Sequence, residues 1–232
     1  MNIFPAIDIH KGKCVRLRQG NFNDEVVYGN DPVAMAKHWE RKGAKYLHIV
    51  DLDGALNGKR MNEDIIRNIV KAVNIPIQLG GGIRTLKDIC QILDMGINRA
   101  IIGTSAVLIE GFIDKAIELY ADSLAVSIDA INGLIATNGW TITTNLNAMV
   151  FAKELELKGL KTIIYTDIEK DGMLLGPNYQ QLEQLKKAVS INIIASGGIS
   201  SKDHLEKLKS LELYGAIIGK ALYTGNILLE EI

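Results

Sequence analysis

The chain repeats itself. Gly81-Gly82-Ile83 returns as Gly197-Gly198-Ile199, and Ala100-Ile101-Ile102-Gly103 returns as Ala216-Ile217-Ile218-Gly219, each 116 residues later in a chain of 232. Asp51 and Asp167 keep the same spacing, as do Thr85 and Ser201. Early in each half an apolar stretch ends on a carboxylate: Pro5-Ala6-Ile7-Asp8 in the first and Val126-Ser127-Ile128-Asp129 in the second. A repeat of this kind fixes architecture before any single element is argued, because both halves must fold to one design.

Short apolar runs, most with β-branched residues, recur at 3–8, 46–51, 75–79, 99–103, 124–129, 161–167, 191–195 and 214–219. Runs this short without polar alternation suit parallel strands buried on both faces. Helical patterns lie between them, with start and stop signals. Asp31-Pro32 opens one that Gly43 ends; Asn62 caps 63–72; Thr85 opens 86–95; Asn145 opens 146–158; Asn178 opens 179–189; Ser201 opens 202–211; a last short helix is expected over 222–232. Strand and helix alternate throughout, which predicts a parallel sheet. With the halves in register, the expected fold is α/β, a closed (β/α)8 TIM barrel made of two half-barrels, with residues 1–232 forming one domain. Irregular segments are expected at 9–30, 52–61, 130–144 and 168–177, after strands one, two, five and six, on the face where such barrels keep their active sites.

Composition removes several classes of function. Net charge is −1, so no broad basic field points to nucleic acid. No segment reaches the roughly 20 apolar residues of a membrane helix, and the N-terminus carries no basic-then-apolar leader. A cytoplasmic protein that binds neither nucleic acid nor membrane is expected. Cys14 and Cys90 match no metal or redox spacing and read as buried, reduced thiols.

Asp8 and Asp129 end the first and fifth strands, which lie diametrically opposite in an eight-stranded barrel. Their carboxylates should enter the mouth from two sides of a substrate, one as base and one as acid if their surroundings separate the pKa values. Four strand ends carry glycine: Gly81-Gly82, Gly103-Thr104, Gly197-Gly198 and Gly219-Lys220. Glycine lets an anion approach backbone N–H groups at a helix start, and strands seven and eight often build a phosphate site in this fold. Two such pairs half a barrel apart suggest a small-molecule substrate with a phosphate at each end. Thr166 and Asp171 fall on the active face, while Asp51 and Asp167 read as structural residues of the barrel mouth. Arg16, Arg18 and Arg84 can help hold phosphate or carboxamide groups. Trp140 can stack on a flat heterocycle or simply anchor its loop. His10, His38, His48 and His204 show no ligand spacing and read as packing or surface residues; no metal is expected.

Several segments together resemble one family. They are Pro5-Ala6-Ile7-Asp8 with Gly12-Lys13-Cys14-Val15-Arg16-Leu17, His48 to Ala55, Gln78 to Arg84, and Thr166-Asp167-Ile168 with Asp171-Gly172 and Gly176-Pro177-Asn178. The chain resembles, along nearly its whole length, the histidine-biosynthetic isomerases acting on phosphoribosylformimino-aminoimidazole carboxamide ribotide. That resemblance implies an Amadori rearrangement of an aminoaldose to an aminoketose, without cofactor, on a substrate with two phosphates. It implies Asp8 as proton acceptor and Asp129 as proton donor, with Thr166 and Asp171 assisting. The substrate contacts expected from the strand ends and loops are Arg16, Gly81, Gly82, Arg84, Gly103, Thr104, Trp140, Gly197, Gly198, Gly219 and Lys220. A monomer is expected. The chain departs from the family at His10-Lys11 and at Ser105, where alanine is common. Two neighbours share the fold: a bifunctional isomerase that also accepts phosphoribosylanthranilate, and the cyclase subunit of imidazole glycerol phosphate synthase, whose opening is expected to read Pro-Cys-Leu-Asp.

Overall fold

The eight apolar runs become eight parallel strands. In a computed structural model describing residues 1–232 they are β1 (Asn2–His10), β2 (Leu47–Asp51), β3 (Ile77–Gly80), β4 (Arg99–Ile102), β5 (Leu124–Ile131), β6 (Thr162–Asp167), β7 (Asn192–Ser196) and β8 (Gly215–Ile218). Each pairs in parallel with its neighbours in sequence, and β8 pairs with β1, so the sheet closes into a (β/α)8 barrel. Helices cover the outside. The main core lies between strands and helices, where Ile7, Ile49, Leu79, Ile102, Val126, Ile163 and Ile193 meet helical residues such as Ile69, Ile92 and Leu185. A smaller cluster of Phe4, Ala6, Ile101, Ala125, Ile164, Ile194 and Ile217 fills the barrel interior. Both strand faces are thus buried, which is why the runs lack polar alternation.

Most helix starts use the predicted caps. Asp31 accepts from the backbone of Val33 and Ala34 ahead of helix Pro32–Arg41. Thr85 and Asp88 form a reciprocal capping box at Leu86–Asp94. Asn178 and Ser201 each accept a backbone N–H at Tyr179–Ala188 and Lys202–Ser210.

Several expectations need correction; the first is at 52–61, where Leu52–Asn57 is a helix rather than irregular. The segment after β1 is not irregular: Lys13–Arg18 and Asn21–Gly29 form antiparallel strands continuing from β1. The segment after β5 likewise forms strands Leu134–Thr137 and Ile142–Asn147. Pairing of Leu134 with Asn147 keeps the chain extended past Asn145, so Asn147 caps the helix, which spans Ala148–Leu157. Asn62 precedes helix Glu63–Ala72 but caps nothing with its side chain, which is committed to Asp51 and Asp53. The C-terminal segment is a short helix Lys220–Tyr223 and a 3-10 turn Leu229–Glu231, and Cys90 is exposed while Cys14 is buried.

The repeat survives in backbone conformation. Gly81 and Gly82 have φ of 105° and 75°; Gly197 and Gly198 have 96° and 80°. These left-handed values favour glycine. A Cβ on Gly81 would lie 2.2 Å from the Asp51 carbonyl, and one on Gly197 would lie 2.7 Å from the Asp167 carbonyl. Gly103 (φ −109°, ψ −104°) and Gly219 (φ −105°, ψ −101°) also match.

Candidate active site

Parallel strands in register bring their C-terminal ends to one rim, and the predicted residues gather there. Asp8, Asp129, Thr166, Asp171, Arg16 and Trp140 line one cavity at the barrel mouth, together with Gly81, Gly82, Arg84, Gly103 and Thr104. A smaller cavity beside it is lined by Gly197, Gly198, Gly219 and Lys220 and shares Arg16 and Asp171 with the first. Arg16 and Asp171 therefore stand between the two glycine-marked regions. Arg18 lines neither cavity; its guanidinium reaches out to Asp24 at 4.0 Å.

The two aspartates have different surroundings. Asp8 faces the loop hairpin across its register with Val15, which puts Arg16 beside it. Arg16 Nη1 donates to Asp8 Oδ2 at 2.8 Å, and Nη2 lies 3.8 Å from Asp171 Oδ1. Arg16 Nε is buried without a partner, and the guanidinium packs over Gly219, where a Cβ would lie 2.3 Å from Cζ. Burial raises the Asp8 pKa, and the Arg16 cation opposes that rise. At Asp129 burial again raises the pKa, opposed by hydrogen bonds from Trp140, Ser127 and Thr166. Ser127 Oγ donates to Asp129 Oδ1 at 2.8 Å, and Thr166 sits opposite Asp129 in the β5–β6 register. One carboxylate has an ion pair and the other only neutral donors. That difference separates two otherwise equivalent groups.

Asp171, in the loop after β6, is pushed up to about 6, first by burial and then by the opposed influences of Arg16 (lowering) and of Asp8 and Asp129 (raising). Lys220 Nζ donates to the Gly172 carbonyl at 2.8 Å, which ties that loop to the end of β8. Trp140 has φ of 70° and lies against Gly20, so the loops after β1 and β5 meet over the mouth. It anchors a loop and faces the cavity at once. Thr104 accepts the Asn138 N–H at 2.9 Å, joining the loop after β5 to the end of β4.

Away from the cavity, Asp51 and Asp167 are buried structural groups. Asp51 accepts from the backbone of Gly54, Met61 and Asn62 and from the Asn62 amide. Asp167 accepts from the Asn178 amide at 2.6 Å. His10 pairs with Glu25 and lies 3.6 Å from Asp53, joining the loop-one hairpin to the loop after β2. Ser105 donates to the Ile83 carbonyl at 2.8 Å and links the ends of β3 and β4.

Several cavity residues escaped the sequence, Ser127 and His48 among them. Ser127 gives no local signal beyond its i, i+2 spacing to Asp129 on one strand face. His48, expected in a packing or surface role, lines the main cavity. Its signal is the set of polar residues at matching positions of adjacent strands, His48, Gln78 and Arg99.

No helix is long and apolar enough to cross a membrane. The chain matches the family described as "Histidine biosynthesis protein" over residues 2–228. It is 55% identical over 232 residues to a protein of Oceanobacillus iheyensis named 1-(5-phosphoribosyl)-5-((5-phosphoribosylamino)methylideneamino) imidazole-4-carboxamide isomerase, covering 100% of this chain and 97% of the relative. A protein of Listeria innocua with the same name is 50% identical over 232 residues, with the same coverage. A third of that name, from Clostridium botulinum, is 49% identical over 231 residues, covering 100% of this chain and 96% of the relative. Each is named an isomerase, and none of the three a cyclase. The match over nearly the whole chain, on a barrel with these carboxylates at its mouth, makes this protein a member of the histidine biosynthesis protein family.

Proposed function

We propose that the chain is the histidine-biosynthetic isomerase that converts the bis-phosphoribosyl imidazole carboxamide aminoaldose into its phosphoribulosyl aminoketose. Full-length relatives at about half identity carry that name. The observation that carries the mechanism is the unequal pair of carboxylates: Asp8 is held by Arg16 at 2.8 Å, and Asp129 by neutral donors. A neighbouring cation favours the ionised form, so Asp8 is the base; Asp129, buried without a cation, is the acid.

The steps then balance without a cofactor. Asp129 gives its proton to the ribose ring oxygen as the C1–O bond breaks, leaving a C1=N iminium. Asp8 takes the proton from C2, and the C–H electron pair forms C1=C2 while nitrogen regains its lone pair. The enolaminol then gains a proton at C1 and loses the one on the C2 hydroxyl, giving the ketone. Thr166, opposite Asp129, and Asp171, beside Arg16, orient the two carboxylates and the opened chain. Gly81, Gly82, Arg84, Gly103 and Thr104 would hold one phosphate; Gly197, Gly198, Gly219 and Lys220, with Arg16 above them, would hold the other. Trp140 would cover the imidazole ring. One barrel supplies the whole proposed site, in keeping with a monomer that acts in the cytoplasm.

The test is an assay of purified protein with this aminoaldose and with phosphoribosylanthranilate side by side. Conversion of the two-phosphate substrate to its ketose is expected. Failure to convert it, with turnover of the one-phosphate substrate alone, would contradict the reading.

A further inference from the structure

His48 lies on β2 beside Gln78 on β3, which in turn lies beside Arg99 on β4. Arg99 Nη1 donates to Gln78 Oε1 at 3.2 Å. A guanidinium has donors only, so the Gln78 oxygen must face Arg99 and its NH2 must face His48. An NH2 group can only donate, so the His48 Nδ1 that receives it at 2.9 Å must carry a lone pair. The ring proton is therefore on Nε2. That N–H has no acceptor within the protein, and the ring lines the main cavity one layer beneath Asp8, opposite Ala6 in the β1–β2 register. A second proton is opposed by burial first and by the Arg16 cation next, which together take the His48 pKa down to about 3. The ring is an uncharged donor in the wall of the main cavity, and nothing in the acid–base steps uses it.

We propose that His48 is a further catalytic residue: a neutral imidazole whose Nε2–H, aimed by Gln78 and Arg99, donates a hydrogen bond to a hydroxyl oxygen of the ribosyl unit that opens. This rests on the isomerase function proposed above. The oxygen on C2 becomes a carbonyl, and its electron density changes as Asp8 removes the C2 proton. A neutral imidazole holds and polarises such an oxygen without surrendering its own proton, so it adds no third acid to the Asp8–Asp129 pair.

Histidine-specific 15N NMR of the wild-type protein reads the tautomer directly. One ring with a protonated Nε2 and a bare Nδ1, unchanged from about pH 5 to about pH 9, is expected, in contrast to free histidine. His48→Leu should lower kcat about 100-fold with KM altered less than about threefold, and His48→Gln, which returns an N–H near the Nε2 position, should recover about tenfold of that loss. Gln78→Glu presents only acceptors to Nδ1 and should move the ring proton there, with a kcat loss like that of His48→Leu although the imidazole remains. A residue that merely packs would leave kcat indifferent to the tautomer. The proposal is overturned if the wild-type ring is protonated at Nδ1, or if Gln78→Glu shifts the proton and kcat stays within about threefold of wild type. Should His48→Leu fail to fold, the wild-type spectrum and Gln78→Glu still decide. Absence of isomerase activity in the wild type would instead overturn the proposed function and leave the tautomer result standing.

Discussion

Asn178 donates its side-chain amide to Asp167 at 2.6 Å, in the same way that Asn62, 116 residues earlier, serves Asp51 at 2.7 Å. Each half-barrel thus fastens the aspartate at the end of its second strand to the asparagine before the next helix. The copies are unequal. Asp51 takes three further backbone N–H bonds, whereas Asp167 Oδ1 is buried without a partner. Removing an acceptor strands every donor it served. Asp51→Ala should therefore destabilise by ~3 kcal/mol or more and Asp167→Ala by only ~1 kcal/mol. Urea unfolding of both variants checks this, and equal losses would contradict it.

In the proposed mechanism Arg16 sets the pH range in which Asp8 acts as a base. The guanidinium stabilises the Asp8 anion and opposes the upward effect of burial. In Arg16→Gln only burial remains, the Asp8 pKa rises, and the acid limb of kcat/KM should move about one unit to higher pH. Activity is then lost first at the acid end. A pH–rate profile whose acid limb does not move would refute the pairing as the source of Asp8 ionisation.

Asp171 carries a stability cost at neutral pH. Its folded pKa is about 6 against a reference of 3.8, so between those values the folded state binds more protons than the unfolded one. Stability attributable to this group is present below about pH 4 and lost as pH rises to about 6. Asp171→Asn removes that loss and should raise stability at pH 7.5 by ~1 kcal/mol, a Tm increase of ~3 °C, while activity falls. Calorimetry at about pH 4 and about pH 7.5 measures it; the variant's gain should vanish at the lower pH.

The barrel was legible because its strands are buried on both faces and its repeat is fixed in length: Gly81 and Gly197, or Gly103 and Gly219, identify matching strand ends without any structure. The loops were less legible. Lys11-Gly12, Gln19-Gly20 and Asn132-Gly133 all have two successive positive φ values, the tight-turn geometry that joins antiparallel strands. Asn132-Gly133 is a strong hairpin signal between apolar flanks, Ala130-Ile131 and Leu134-Ile135; only the outer strand Ile142–Asn147, polar and largely exposed, lacks a strand pattern. The aspartate pair could be read from strand ends alone. The Arg16 ion pair could not, since it depends on how the hairpin folds back on β1. His48 was hidden for a similar reason: inward polar residues on three strands become one chain only when register is known.

In the proposed mechanism Asp8 takes the C2 proton. The most direct test measures turnover and ligand binding together in Asp8→Asn, a change that removes the base and little volume. The wild type should convert the two-phosphate aminoaldose, while the variant should bind it with Kd within about threefold and lose about 1000-fold or more in kcat. A variant that turns over like the wild type would contradict the account.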